Sequence, residues 1–503
     1  MVVNYFSGVI FLSHNISIVI SFIIYLALMM AIGIYYYRRT QNISDYILGS
    51  RGLGAWVTSM SAEASDMSGW MLMGVPGAAY VAGLSSAWIA VGIAIGTYAN
   101  WKIMAARLRK YSEIAGDSLT LPDFFQNRYH DKSNLLRIIP AIFILIFFII
   151  YTSSGFVSGG KLFETIFGMN YTYAVLLGAG VVVFYTLTGG FLAVCTTDFV
   201  QGVMMFLAIL IVPIAATIAL GGFGTAVTAI GSLSPTMFAP MTNPDGSTLT
   251  FIELISLLGW GIGYFGQPHI LVRFMAIKSS KELTQAMHIA MTWVVISLAA
   301  AVFVGMVGHA YLTTPLTGTN TETVFLVLTN ELFSPFVVGL IMASVLAAIM
   351  STASAQLLVA ASAFSKDFYA AVIKKDASSS ELVWVSRISV LVISAIAITL
   401  ALNPNSLILD IVAYAWAGFG AAFGPALLAS LFWRRATRNG VLAGIIVGGV
   451  TVLVWKQLAL LGLYEIIPGF IFSAIAIYVV SMMDKEPSKE IVETFDKVDE
   501  SEI

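Results

Sequence analysis

Residues 61–70 read Ser61-Ala62-Glu63-Ala64-Ser65-Asp66-Met67-Ser68-Gly69-Trp70, "SAEASDMSGW". Two carboxylates, three hydroxyls and a glycine interrupt apolar flanks at 53–60 and 71–82. By length and composition, 53–82 is a membrane span, since a crossing helix takes about 20 apolar residues. A charged side chain at the centre of such a helix costs at least about 2.5–3.5 kcal/mol. Glu63 and Asp66 therefore need a cation or hydrogen-bond donors beside them.

The whole chain agrees with a membrane setting. Of 503 residues, 58% are hydrophobic and 10% charged, and the mean hydropathy is +0.90; soluble domains carry about 25% charged residues. A net charge of −2 points to no nucleic-acid partner. One cysteine, Cys195, excludes an intrachain disulfide and a cysteine-built metal cluster. No histidine pair has metalloprotease spacing, and no nucleophile–base–orienter set stands out, so an enzyme is not expected. The first apolar run, 16–37, is too long for a signal sequence and is followed by Arg38-Arg39, not by a cleavage site.

Thirteen spans are expected, at 16–37, 53–82, 84–106, 136–157, 171–188, 190–217, 250–275, 289–313, 333–365, 384–402, 406–433, 439–459 and 463–483. Lys and Arg cluster after odd-numbered spans: Arg38, Arg39 and Arg51; Arg107 to Arg137; Arg273, Lys278 and Lys281; Lys366 to Arg387; Arg434 to Arg438. Lys161 and Lys456 are the exceptions. The positive-inside rule then sets the N-terminus outside and the C-terminus in the cytoplasm of a cell-membrane protein. The charged tail from Asp484 is expected to be solvated and partly disordered.

The seventh span carries the second interruption, "GWGIGYFGQP" at 259–268. Each Gly costs roughly 1 kcal/mol against Ala in a helix interior and Pro about 3. Backbone freed at that depth survives only inside protein or beside a cavity. Glycines can simply let helices pack closely. Two clustered breaks, five spans apart and entered from opposite sides, instead predict inverted five-helix repeats with a site between the breaks. The expected organisation is 1–52 with the first span, 53–217 as the first repeat (spans two to six), 218–249 as an extracellular loop, 250–433 as the second repeat (spans seven to eleven), 434–483 as two further helices, and 484–503 as a cytoplasmic tail. In the ninth span, "AAIMSTAS" (347–354) sets Ser351 beside Thr352, hydroxyls that could equally bond the preceding turn.

At this point the chain resembles the sodium:solute symporter family, and within it the branch that carries proline. The matching stretches are "DYILGSRGLGAW" (45–56), "SDMSGWMLMGVPGA" (65–78), "LTLPDFF" (119–125), "GGFLAVCTTDFVQ" (189–201), "GWGIGYFGQPHILVRFMA" (259–276), "MSTASAQLL" (350–358), "YAWAGFGAAFGP" (414–425) and "GLYEIIPGF" (462–470). The resemblance implies an all-α, LeuT-like fold of about 13 transmembrane helices that couples sodium entry to L-proline uptake, without a cofactor. It implies sodium ligation by carbonyls of Ala64, Met67 and Ala348 and hydroxyls of Ser351 and Thr352, with Asp66 and Ser68 sodium-linked. Asp198 resembles a residue on the sodium exit path; a helix N-terminal carboxylate reads equally well. Tyr151, Trp260, Tyr264 and Pro268 would line the substrate pocket, where an aromatic face can meet a secondary ammonium. His269 could border it, and histidines 14, 130 and 309 read as loop or packing residues. Arg51 reads either as an inner gate or as a membrane anchor.

Two positions depart from the family. Glu63 stands where a small residue is usual, and Ser86 where the proline branch has an acid. Glu63 leaves open a proton-coupled proline transporter; another small solute of the family is a further alternative. A channel would not need paired breaks, and a sensor would need a larger output domain than this tail. Affinity, stoichiometry and oligomeric state stay open.

Overall fold

The computed structural model describes residues 2–37, 43–188 and 190–500. Arg38 and Arg39 lie outside the described residues, as does the side chain of His14. Every named regular element is helical, and helices stand at all thirteen expected positions. They are Val2–Tyr37; Ala55–Asp66 with Val75–Ala82; Ala87–Ala99 with Ala105–Ile114; Leu135–Phe167; Tyr171–Thr188; Phe191–Ala219; Phe251–Leu258 with Pro268–Ala276; Leu283–Tyr311; Pro335–Ser362; Ser379–Ala401; Ile408–Phe432; Arg438–Leu458; and Ile466–Met483. Among the described residues, ten runs are long and apolar enough to cross a membrane by length and composition alone. The second and seventh spans lack a run of their own because they are broken, and the fifth is short.

Helix starts follow local chemistry. Thr250 and Glu253 form a reciprocal capping box that opens the seventh span. Ser378 and Thr437 cap the tenth and twelfth spans by accepting from Glu381 N and Gly440 N. The ninth span, rich in Ala and Ser, is the most buried run and packs on spans one, four and six. The eleventh lies against the fourth, the seventh and the last two.

Three expectations change. The fourth helix runs on to Phe167, so Lys161 lies inside it, buried. The loop at 218–249 holds a helix, Phe223–Leu233, that rests on the eighth span. The tail is not all solvated: Lys489–Glu500 is a helix that buries Ile491, Phe495 and Val498. Apolar residues at that spacing share one face. Phe495 meets Tyr111 at 6.2 Å. Asp496 bonds Arg434 at 2.8 Å, and Asp499 bonds Arg107. Its acids thus find the basic residues on the same end of the bundle.

Candidate site at the two helix breaks

The second span is helical through Asp66 and then stops. Met67 (φ −80°, ψ 81°) leaves the α region. The Ser68 amide bonds Asp66 O at 2.9 Å instead of reaching back to Ala64 O. Ala64 O therefore lacks its helical donor, and the ninth span supplies two others. Ser351 Oγ donates to it at 2.7 Å and Thr352 Oγ1 at 3.2 Å. Ser351 Oγ also reaches Ala348 O at 3.2 Å. Four of the five residues expected to ligate sodium thus meet at one point, with Met67 buried at the break itself.

Two carbonyls flank this break and differ in kind. Asp66 O accepts from Ser68 N, from Trp70 Nε1 at 2.9 Å and from Tyr151 Oη at 3.3 Å. Amide and indole N–H groups only donate, so that oxygen is committed. Ala64 O is held by hydroxyls, which can turn and offer lone pairs outward. The cluster around Ala64 can therefore reorganise around a hard cation, whereas Asp66 O cannot.

The seventh span breaks more gently. Gly259–Gly266 is a 3-10 stretch, Gln267 is extended (φ −81°, ψ 106°), and Pro268 opens the next half-helix. Trp416 of the eleventh span donates to Trp260 O at 2.8 Å, and Gln267 Nε2 donates to Gly263 O and Trp416 O. Tyr264 Oη donates to Asp66 Oδ2 at 2.5 Å and so fastens one break to the other. Trp260 lies 6.1 Å from Trp70, 6.4 Å from Trp416 and 5.9 Å from Tyr464, ring centre to ring centre. Tyr151 and Tyr264 thereby meet at Asp66, and Trp260 joins them through Trp70, whose indole also bonds Asp66 O. Trp70, Trp416 and Tyr464 belong to the same box and were missed. All three fall in stretches that carry the family resemblance, but a lone Trp in a span reads as packing.

Glu63 accepts from Trp101 Nε1 at 3.0 Å, while its Oε2 and Asp66 Oδ1 have no partner among the described residues. Ser68 is buried beside Trp70 N. Asp198 lies two turns into the helix Phe191–Ala219, which sets aside the helix N-terminal reading. It accepts from Ser61 Oγ at 2.7 Å and from Arg273 Nη2 at 3.3 Å. Arg273, counted among the basic residues that follow the seventh span, is 1% exposed. A basic residue inside the apolar run after "GQPH" was the available signal.

Each end of the bundle is latched. Arg51, at positive φ, donates to Asp117 Oδ1 (2.8 Å), Ser112 Oγ (3.1 Å), Met275 O (2.6 Å) and Ser118 O (2.9 Å). At the opposite end, Lys161 Nζ meets Glu322 at 2.7 Å, and Glu322 accepts from Ile408 N and Leu409 N at the start of the eleventh span. His309 packs on Tyr80 at 5.1 Å, and His130 lies 3.8 Å from Glu490. Ser86 turns back on Gly83 O.

Residues 46–448 match the model of the sodium:solute symporter family. The chain belongs to that family. It is 50% identical over 486 residues to the sodium/proline symporter of Escherichia coli (strain K12), covering 95% of this chain and 96% of that protein. It is also 50% identical over 479 residues to the osmoregulated proline transporter of Bacillus subtilis (strain 168), covering 94% and 96%. A solved Na+-coupled sialic acid symporter in a substrate-bound outward-open state matches with TM-score 0.79 at 18% identity, covering 94% of this chain and 99% of that one. A nucleobase–cation symport-1 family transporter matches with TM-score 0.54 at 13% identity, over 91% and 99%. This member of the sodium:solute symporter family therefore has the LeuT-like fold. It is a multi-pass membrane transporter and not an enzyme.

Proposed function

We propose that this symporter couples inward movement of sodium to uptake of L-proline by alternating access. The observation that carries the reading is the convergence of Ala64 O, Ala348 O, Ser351 Oγ and Thr352 Oγ1 at the second-span break, beside Asp66, whose oxygens bond Trp70, Tyr151 and Tyr264. Sodium binds there with Met67 O as fifth ligand, replacing the hydroxyl–carbonyl bonds with ion–oxygen contacts. Asp66 lowers the energy of the cation and, through Tyr264, ties its arrival to the shape of the seventh-span break. Ser68 steadies the unwound backbone, and Asp198 receives the ion on its way inward. Tyr151, Trp260, Tyr264 and Pro268 enclose the pyrrolidine ring, as apolar walls with few polar groups suit a small zwitterion. Sodium-free protein leaves the pocket unformed, and that is the coupling.

The inverted repeats run 53–217 and 250–433, with the N-terminus outside and the C-terminus cytoplasmic. Arg51 closes the cytoplasmic path. The close kinship with proteins named for proline transport supports the substrate.

Purified protein in proteoliposomes tests this, with sodium and pH gradients imposed separately. A sodium gradient should drive accumulation of labelled proline. No uptake under it would end the proposal. Uptake under a pH gradient alone would favour Glu63, whose buried Oε2 has no partner among the described residues, as a proton carrier.

A further inference from the structure

The half-helix Pro268–Ala276 points its N-terminus toward the break, the usual place for an anion. Its backbone is poorly equipped for one. Pro268 has no N–H, and the amides of Ile270 and Leu271 both bond Gln267 O. Arg273, the only cation in that half-helix, is committed: Nε to Ser61 Oγ, Nη1 to His269 O and Nη2 to Asp198 Oδ2. The His269 backbone N–H is left over at the helix start, and so is one side chain. His269 is 0% exposed, and neither Nδ1 nor Nε2 has a hydrogen-bond partner among the described residues.

Native folds seldom leave a buried polar group unsatisfied, and one that persists asks for an explanation. A histidine kept only for packing would be better served by Phe, with no nitrogens to desolvate. The surroundings of His269 are aromatic. Its ring lies edge-on to Tyr151, with centres 5.9 Å apart at 87°, and to Phe148, at 5.6 Å and 70°. Tyr151 in turn bonds Asp66 O. A single side chain thus separates His269 from the second-span break.

We propose that His269 is a substrate-contacting residue, a ring N–H donating to the carboxylate of the transported imino acid. The imidazole adds a donor to a half-helix start that has lost the Pro268 N–H and committed those of Ile270 and Leu271, and the helix N-terminus adds its positive end. The transporter then selects for a free carboxylate at this point, and a carboxamide in its place binds poorly. This rests on the proline-uptake reading above.

The test uses sodium-driven proline uptake in proteoliposomes with L-prolinamide as competitor. Wild type should bind prolinamide at least about tenfold more weakly than proline, the scale of one charge-assisted hydrogen bond. His269→Phe should raise the KM for proline about tenfold and leave prolinamide inhibition unchanged, so the preference collapses. His269→Gln, which keeps a donor, should recover part of it. A wild-type preference in His269→Phe overturns the inference. So does an equal loss for both ligands, which marks a packing role. Should the Phe variant fail to reach the membrane, His269→Leu, which also removes both ring nitrogens, decides by the same two outcomes. Absence of any wild-type uptake is a different failure: it removes the proline reading itself.

Discussion

The second and seventh spans break at matching places in the two repeats and by opposite means. The second uses short polar residues: the chain turns at Met67, frees Ala64 O and hands it to hydroxyls of another span. The seventh uses glycines: a Cβ at Gly263 would stand 2.0 Å from Trp416 Nε1, and one at Gly261 would stand 2.1 Å from Gly92 O. Its carbonyls are promptly taken by N–H donors of Trp416 and Gln267. One break exposes oxygens that can be lent to a cation; the other trades side chains for proximity and leaves a shaped wall. Inverted repeats therefore need not yield two equivalent ion sites.

If the seventh break is a matter of space, filling it should do the most damage. Gly261→Ala sets a methyl against backbone that cannot rotate away, and overpacking costs about 1–3 kcal/mol or more. Uptake should fall to background. Gly180→Ala, in the fifth span with nothing within 4 Å of a new Cβ, should transport like wild type. Equal tolerance at both positions would mean that the seventh break is not built on contact.

If the second break is a matter of oxygens, Ser351→Ala and Thr352→Ala should each raise the sodium concentration for half-maximal uptake by about tenfold, since a hydrogen bond or ligand to a charged group is worth roughly 1.5–3 kcal/mol. The saturating rate should suffer less. A change in proline KM with unaltered sodium dependence would move the cation elsewhere.

The bond between the breaks should have an intermediate effect. Tyr264→Phe leaves Asp66 with neither carboxylate oxygen bonded to a side chain. Sodium and proline affinities should weaken together by about threefold to tenfold. In an Asp66→Asn background the same change should add little, because residues in contact couple by about 0.5–3 kcal/mol. Additive losses would separate the two sites.

The contrast also explains what could be read beforehand. Hydropathy pointed to thirteen stretches at which helices stand, because lipid imposes a common length and polarity on every crossing. The breaks were legible because Gly-rich and hydroxyl-rich runs are out of place at that depth. Trp416 and Arg273 were not, since a tryptophan or an arginine shows its role only through its partner, here Trp260 O in one case and Asp198 in the other. The tail misled for the same reason: its acids read as solvated until Arg107 and Arg434 are seen beneath them.

Glu63 offers the smallest effect and the finest test. It lies one turn before Asp66, yet its bonded oxygen meets an indole of the third span, not the ninth-span hydroxyls. Glu63→Gln keeps an oxygen for Trp101 and removes the charge, so sodium-driven uptake should stay within about threefold of wild type, less than the loss of one hydrogen bond to a charged group. Trp101→Phe should do more, because it strips the carboxylate of its one donor and leaves a buried polar group unpaired. Were Glu63→Gln to abolish sodium-driven uptake as fully as Gly261→Ala, the cation would have to lie a turn earlier in the span, and the division of labour between the two breaks would need redrawing.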